Sequence, residues 1–194
     1  MRILRALLLA GGVLAIVPAI AHFGFPDPSG KGKMLRSTLT TGFRTADKVV
    51  VIIHSDRSDH LHSNSDSTSR IIEYERIELG VDQKDWFAHH VPHTTSRTAT
   101  MAGLLRRLCG FRPHHTFSFI EGNSESARVE VCFLCDSASI GSSGTWSDWQ
   151  GVEVLREGLT LAGIDVDRDW VSLAEQNREQ GAAGQSATTP RVGD

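Results

Sequence analysis

Five side chains able to do chemistry fall within one short stretch: Cys109, His114, His115, Cys132 and Cys135. Thiolate and imidazole are the donors that suit tetrahedral zinc, and Cys132-Phe133-Leu134-Cys135 has the C-x-x-C spacing of a metal knuckle. The same spacing serves a dithiol that cycles with its disulfide. In an oxidising compartment two of three cysteines join and one is left over. A third reading makes the cysteines small buried apolar side chains and satisfies the histidines by hydrogen bonds. Zinc, disulfide and inert core are therefore three alternatives. Cys109, His114, His115, Cys132 and Cys135 are the candidate ligands, with zinc as the only cofactor implied. No residue is singled out as catalytic.

The elements around these residues decide whether they meet. Phe117, Phe119, Val129, Val131 and Phe133 alternate on either side of Gly122-Asn123-Ser124, the pattern of a hairpin with a three-residue loop. Closing that loop with Glu121 and Glu125 sets Phe117 opposite Val129, His115 opposite Val131 and His114 opposite Cys132. Cys109 then reaches the same open end of the hairpin. Residues i and i+3 of a straight strand point to opposite faces, so Cys132 and Cys135 come together only if the chain turns after Cys132.

The stretch Cys109-Gly110-Phe111-Arg112-Pro113-His114-His115, with Val131-Cys132-Phe133-Leu134-Cys135 and a late helix ending in Leu-Ala-Gly, resembles a family of uncharacterised exported bacterial proteins. These carry a C…P-x-H strand followed by an I/V-C-F-x-C strand. The resemblance spans about residues 100–165. It implies an envelope location and makes His115 the family's histidine by position, whereas the hairpin register prefers His114.

Elsewhere the β-branched run Val49-Val50-Val51-Ile52-Ile53 reads as a strand buried on both faces. Residues 55–69 are almost all Ser, Asp, His and Asn and read as an exposed loop. A second strand follows over 70–79. Met101, Leu104, Leu105 and Leu108 mark a helix between Thr94 and Leu108, stopped at Gly110. Ser147 with Gln150 forms a capping box ahead of Val152, Leu155, Leu159 and Ala162, and Gly163 ends that helix. Trp170 and Leu173 open a further turn. The expected fold is α+β, a small antiparallel sheet of about four strands with two or three helices on one face. The expected organisation is a signal peptide or anchor at 1–21, an extended linker at 22–46, one domain at 47–178 and a disordered tail at 179–194.

Arg2 and Arg5 precede an apolar run from Ala6 to Ala21, and Ala19 and Ala21 frame an A-x-A cleavage site behind Pro18. This predicts export to the periplasm or beyond. The alternative is a membrane anchor over residues 6–25, which is short for a bilayer. The 194 residues carry 20 Lys+Arg against 23 Asp+Glu, a formal charge of −3 with no basic stripe, which argues against a nucleic-acid partner. The membrane becomes a partner only if the leader is uncleaved.

Other histidines read as surface. His54, His60 and His62, with Asp56, Asp59 and Asp66, lie in the polar loop, where binding an ion means ordering the chain first. His89, His90 and His93 surround Pro92 and offer a general base or extra ligands. Ser142 and Ser143 lack the spacing of a nucleophile elbow. The function expected is a non-enzymatic envelope domain with a structural Cys/His cluster and a protein partner. The alternative is a thiol-disulfide redox protein using Cys132 and Cys135.

Overall fold

A computed structural model describes residues 30–56, 59, 71–94, 110–141, 146–148 and 151–177. The expected leader, most of the polar loop, the helix expected between Thr94 and Leu108, Cys109 and the tail lie outside the described residues. The β-branched run becomes β1 (Lys48–His54), and the second expected strand is β2 (Glu73–Glu78). The hairpin is β3 (His115–Glu121) and β4 (Ser124–Cys132), followed by β5 (Ser137–Ile140) and β6 (Trp146–Asp148). They form one antiparallel sheet in the order β2-β1-β3-β4-β5-β6. The α+β class holds, with six strands rather than about four. Strands β5 and β6 have four and three residues, too short for an alternating pattern to stand out.

The hairpin register is the expected one from His115↔Val131 to Phe119↔Ala127. It then shifts, pairing Ile120 with Glu125 and Glu121 with Ser124. The loop is thus the two residues Gly122 and Asn123, with Gly122 at φ 59°, and Ser126 is the extra residue of a bulge. A second irregularity lies between β1 and β2. Ile53 pairs with Glu75 and His54 with Glu73, so Tyr74 is the residue left over. Bulging re-aims Tyr74, and it packs against the core together with Ile77.

Residues 31–45, expected as part of an extended linker, are instead the helix α1 (Lys31–Thr45). Leu35, Leu39 and Phe43 repeat every four residues and are buried on the sheet. A helix between Gly80 and Pro92 was not expected, yet α2 (Val81–His90) forms there. Its start is tied by the Gly80 N–H, which donates to Gln83 Oε1 at 2.8 Å. The third helix, α3 (Gly151–Leu161), matches the expected apolar stripe of Val152, Leu155 and Leu159. Its end is also as expected, with Gly163 at φ 77° and the Ile164 N–H donating back to Leu159 O. Its start is not, because Ser147 belongs to β6, paired with Ala138.

Helices α1, α2 and α3 bury their apolar faces against one side of the sheet, on Val49, Val51, Ile53, Phe117, Phe119, Val129, Val131 and Ala138, and residues 170–177, expected as a turn, form a further helix. Phe43 stacks on Phe87 at 4.7 Å and meets Phe117 and Phe119 edge-on, which binds α1, α2 and β3 together. The other side carries Val50, Ile52, Thr116 and Ser118, the last donating to Glu125 at 2.6 Å. The Glu73–Arg76 pair lies within β2 and the Glu125–Arg128 pair within β4. No described helix is long and apolar enough to cross a membrane.

Two helical glycines set how closely the helices approach. A Cβ on Gly42 would clash with the Phe119 ring, and one on Gly158 with the rings of Phe87 and Trp86. Alanine is the better helix former by about 1 kcal/mol, but overpacking a closed core costs about 1 to 3 kcal/mol. We expect Gly42→Ala and Gly158→Ala to lower the unfolding free energy measured in urea by a net of up to about 2 kcal/mol, with Gly110→Ala, whose Cβ meets nothing, within about 0.5 kcal/mol of wild type. Equal midpoints in all three variants would refute the close-approach argument.

Candidate functional site

The antiparallel order brings the end of β1, the start of β3, the end of β4 and the start of β5 to one edge of the domain. There the His54 N–H donates to His114 O at 3.0 Å. The His54 ring is fixed at both nitrogens: Nδ1 donates to Ser55 O at 3.0 Å, so in the neutral ring Nε2 accepts from Thr116 Oγ1 at 2.9 Å.

His114 and His115 have different surroundings. His114 Nε2 donates to Asp59 Oδ2 at 3.0 Å, and Asp59 also accepts the Asp56 N–H at 2.7 Å. The His114 ring stacks on Trp170 at 4.2 Å, 10° from parallel. Burial pushes the His114 pKa down, and the Asp59 carboxylate pulls it back only in part. His115 is 1% exposed, edge-on to Phe133 at 4.9 Å and to Trp170 at 5.4 Å. Its Nε2 is buried with no hydrogen bond among the described residues. Burial, helped by the charges of His114, His54, Arg168 and Arg156, lowers its pKa to about 3. It is a neutral ring in an aromatic pocket.

The chain does turn after Cys132. Residues 133–136 reverse direction, Asp136 adopts φ 45°, and β5 begins at Ser137, whose Oγ donates to Cys135 O at 2.9 Å. Arg156 of α3 braces this turn. One guanidinium nitrogen donates to Phe133 O at 2.9 Å, and the group lies 5.2 Å from the Phe133 ring centre. Leu134 at the tip is 78% exposed.

The two cysteines of the turn differ in state. Cys132 is a free, buried thiol. Burial raises its pKa, although the amides of Arg112, Cys135 and Leu134 pull the other way. Cys135 is disulfide-bonded, and its sulfur lies 3.2 Å from Gly110 O. A bonded sulfur carries no hydrogen, so that approach is a contact rather than a donated hydrogen bond.

Among the described residues, His114, His115, Cys132 and Cys135 do not converge as a tetrahedral zinc set. Cys135 is not available as a thiolate, His115 is enclosed by aromatic rings, and His114 Nε2 is committed to Asp59. Among the described residues no three His, Cys, Asp or Glu side chains converge on a point that an ion could occupy. Cys109 is not among them. Asp59 and Trp170 were missed as members of this site. Asp59 sits in a polar stretch with no periodicity, Trp170 far along the chain, and nothing local to either announces a buried carboxylate–imidazole pair or a ring stack.

Asp59→Ala should leave the His114 Nε2–H and the Asp56 N–H without their acceptor and cost about 2 to 3 kcal/mol in urea unfolding. The same change removes the carboxylate charge and hydrogen bond that raise the imidazole pKa, so the His114 titration followed by NMR should move further down in pH. An upward shift would contradict this geometry.

No family model, curated protein or solved structure matches this chain.

Proposed function

We propose that this chain is an exported, non-enzymatic domain of the bacterial envelope whose Cys/His cluster is structural. In this reading Cys109 and Cys135 form a disulfide, Cys132 is a buried thiol, and the exposed surface engages a protein partner. The observation that carries it is the unequal state of the cysteines: Cys135 is bonded while Cys132, its partner in the C-x-x-C, is free. The chain has three cysteines, so Cys109 is the one left to pair with Cys135. The Cys135 sulfur touches the carbonyl of Gly110, the next residue along from Cys109. A stable disulfide belongs to an oxidising compartment, which agrees with the A-x-A leader and with the resemblance to exported proteins.

The redox alternative needs Cys132 and Cys135 to join each other and one of them to be a ready thiolate. Cys132 has the opposite character, since burial raises its pKa. Disulfide mapping of protein purified from its own compartment, alkylated before digestion, tests the proposal together with its metal content. A linked Cys109–Cys135 peptide, an alkylated Cys132 and no insulin reduction support it. A Cys132–Cys135 peptide with insulin turnover that vanishes in Cys132→Ser would establish the redox protein instead. One zinc per chain with three alkylated cysteines would establish the metal site.

A further inference from the structure

Away from the sheet end, three imidazoles gather where α2 runs into the 3-10 turn Val91–His93. His89, His90 and His93 are all exposed. The His89 ring centre lies 5.0 Å from that of His90 and 5.7 Å from that of His93. His90 is held aside, because its Nδ1 donates to Trp86 O at 2.7 Å and its ring stacks on Trp86 at 4.0 Å. His89 and His93 form no hydrogen bond among the described residues.

Positions i and i+4 share a helical face, the spacing by which two histidines of a helix hold one ion. An imidazole nitrogen bound at about 2.0 to 2.1 Å puts its ring centre roughly 3.2 Å from the ion. Two rings sharing an ion then lie about 4.5 Å apart at adjacent positions of a tetragonal Cu²⁺ and about 5.2 Å apart on a tetrahedral ion. The observed 5.7 Å between His89 and His93 is within reach of that by side-chain rotation alone. The site is at the C-terminal end of α2, where the helix dipole favours a cation, and Asp85 lies one turn before His89.

We propose that His89 and His93 chelate one divalent transition-metal ion, with Cu²⁺ bound more tightly than Ni²⁺ or Zn²⁺. Imidazole donors select these ions over Mg²⁺ and Ca²⁺, and copper heads the affinity order for nitrogen sites. No third protein ligand converges there among the described residues, so water fills the other positions.

The test is a titration of the metal-stripped full chain with CuCl₂, followed by calorimetry and by the imidazole proton resonances. Resonances of His89 and His93 should broaden first. His89→Ala and His93→Ala should each weaken binding at least tenfold, and His60→Ala should leave it unchanged. Both side chains are exposed, so the variants should melt like wild type; His89→Gln replaces His89→Ala should that variant fail to fold. Binding unchanged in both His89 and His93 variants, broadening that begins at His60 or His62, or displacement of Cu²⁺ by equimolar Mg²⁺ would each overturn the proposal.

Discussion

Reduction of the oxidised protein should lower its unfolding free energy by about 3 to 4 kcal/mol, and Cys135→Ser should do the same without reductant. The magnitude follows from chain entropy: a bond between Cys109 and Cys135 closes a loop of about 25 residues, which restricts the unfolded ensemble by that amount. For a domain of this size the melting temperature should fall by roughly 10 °C. Cys132→Ala removes only a small buried side chain, so its cost should be near 1 kcal/mol and should persist under reducing conditions. A chelator should leave the melting curve in place. If chelator lowers it while reductant does not, the sulfurs hold a metal and the disulfide proposal fails.

Acid should destabilise the fold through His115. In the unfolded chain its imidazole titrates near 6.5, and in the folded state at about 3. Between those values the unfolded chain binds a proton that the folded one refuses, so stability is fully present above pH 6.5 or so and falls as the pH drops toward 3. The slope within that window approaches about 1.4 kcal/mol per pH unit, or about 2 kcal/mol between pH 6.5 and 4.5. Phenylalanine has similar shape, meets the same rings, and removes both the titration and the unpartnered Nε2. His115→Phe should therefore be as stable as wild type or more so at pH 7, and should lose most of the slope. Urea midpoints taken every half pH unit decide it, and equal slopes in the two proteins would show that His115 is not the acid-sensitive group.

The legible parts of this fold are those where pattern and pairing coincide. Phe117 and Phe119 against Val129 and Val131 admit one register, because a one-residue slip would turn all four away from the helices. The loop was misjudged by one residue because the bulge at Ser126 leaves the alternation beyond it unchanged. Helix α1 was missed for an energetic reason: Leu35, Leu39 and Phe43 have helical spacing, but Ser37, Thr38, Thr40, Thr41 and Gly42 between them are poor helix formers. Packing on the sheet supplies what intrinsic propensity lacks. At the candidate site, the crowding of cysteines and histidines was readable, as was the turn after Cys132. The division of labour was not: His114 is paired by an Asp from another loop and His115 is enclosed by rings from two other segments. Such long-range partners leave no trace in local spacing.

The strand order also bears on how quickly this chain finds its fold. Strands β3, β4 and β5 follow one another through tight reversals, so they can assemble within microseconds to milliseconds of local search. The seam between β1 and β3 is different, since Lys48 must find Ile120 and Ile53 must find His115 across much of the chain. A Cys109–Cys135 bond lies wholly on the β3–β5 side of that seam and leaves the intervening loop as long as before. Oxidation should therefore favour the β3–β5 half before β1 docks and change the unfolding rate little, and the rate-limiting event remains the meeting of two preformed halves of the sheet.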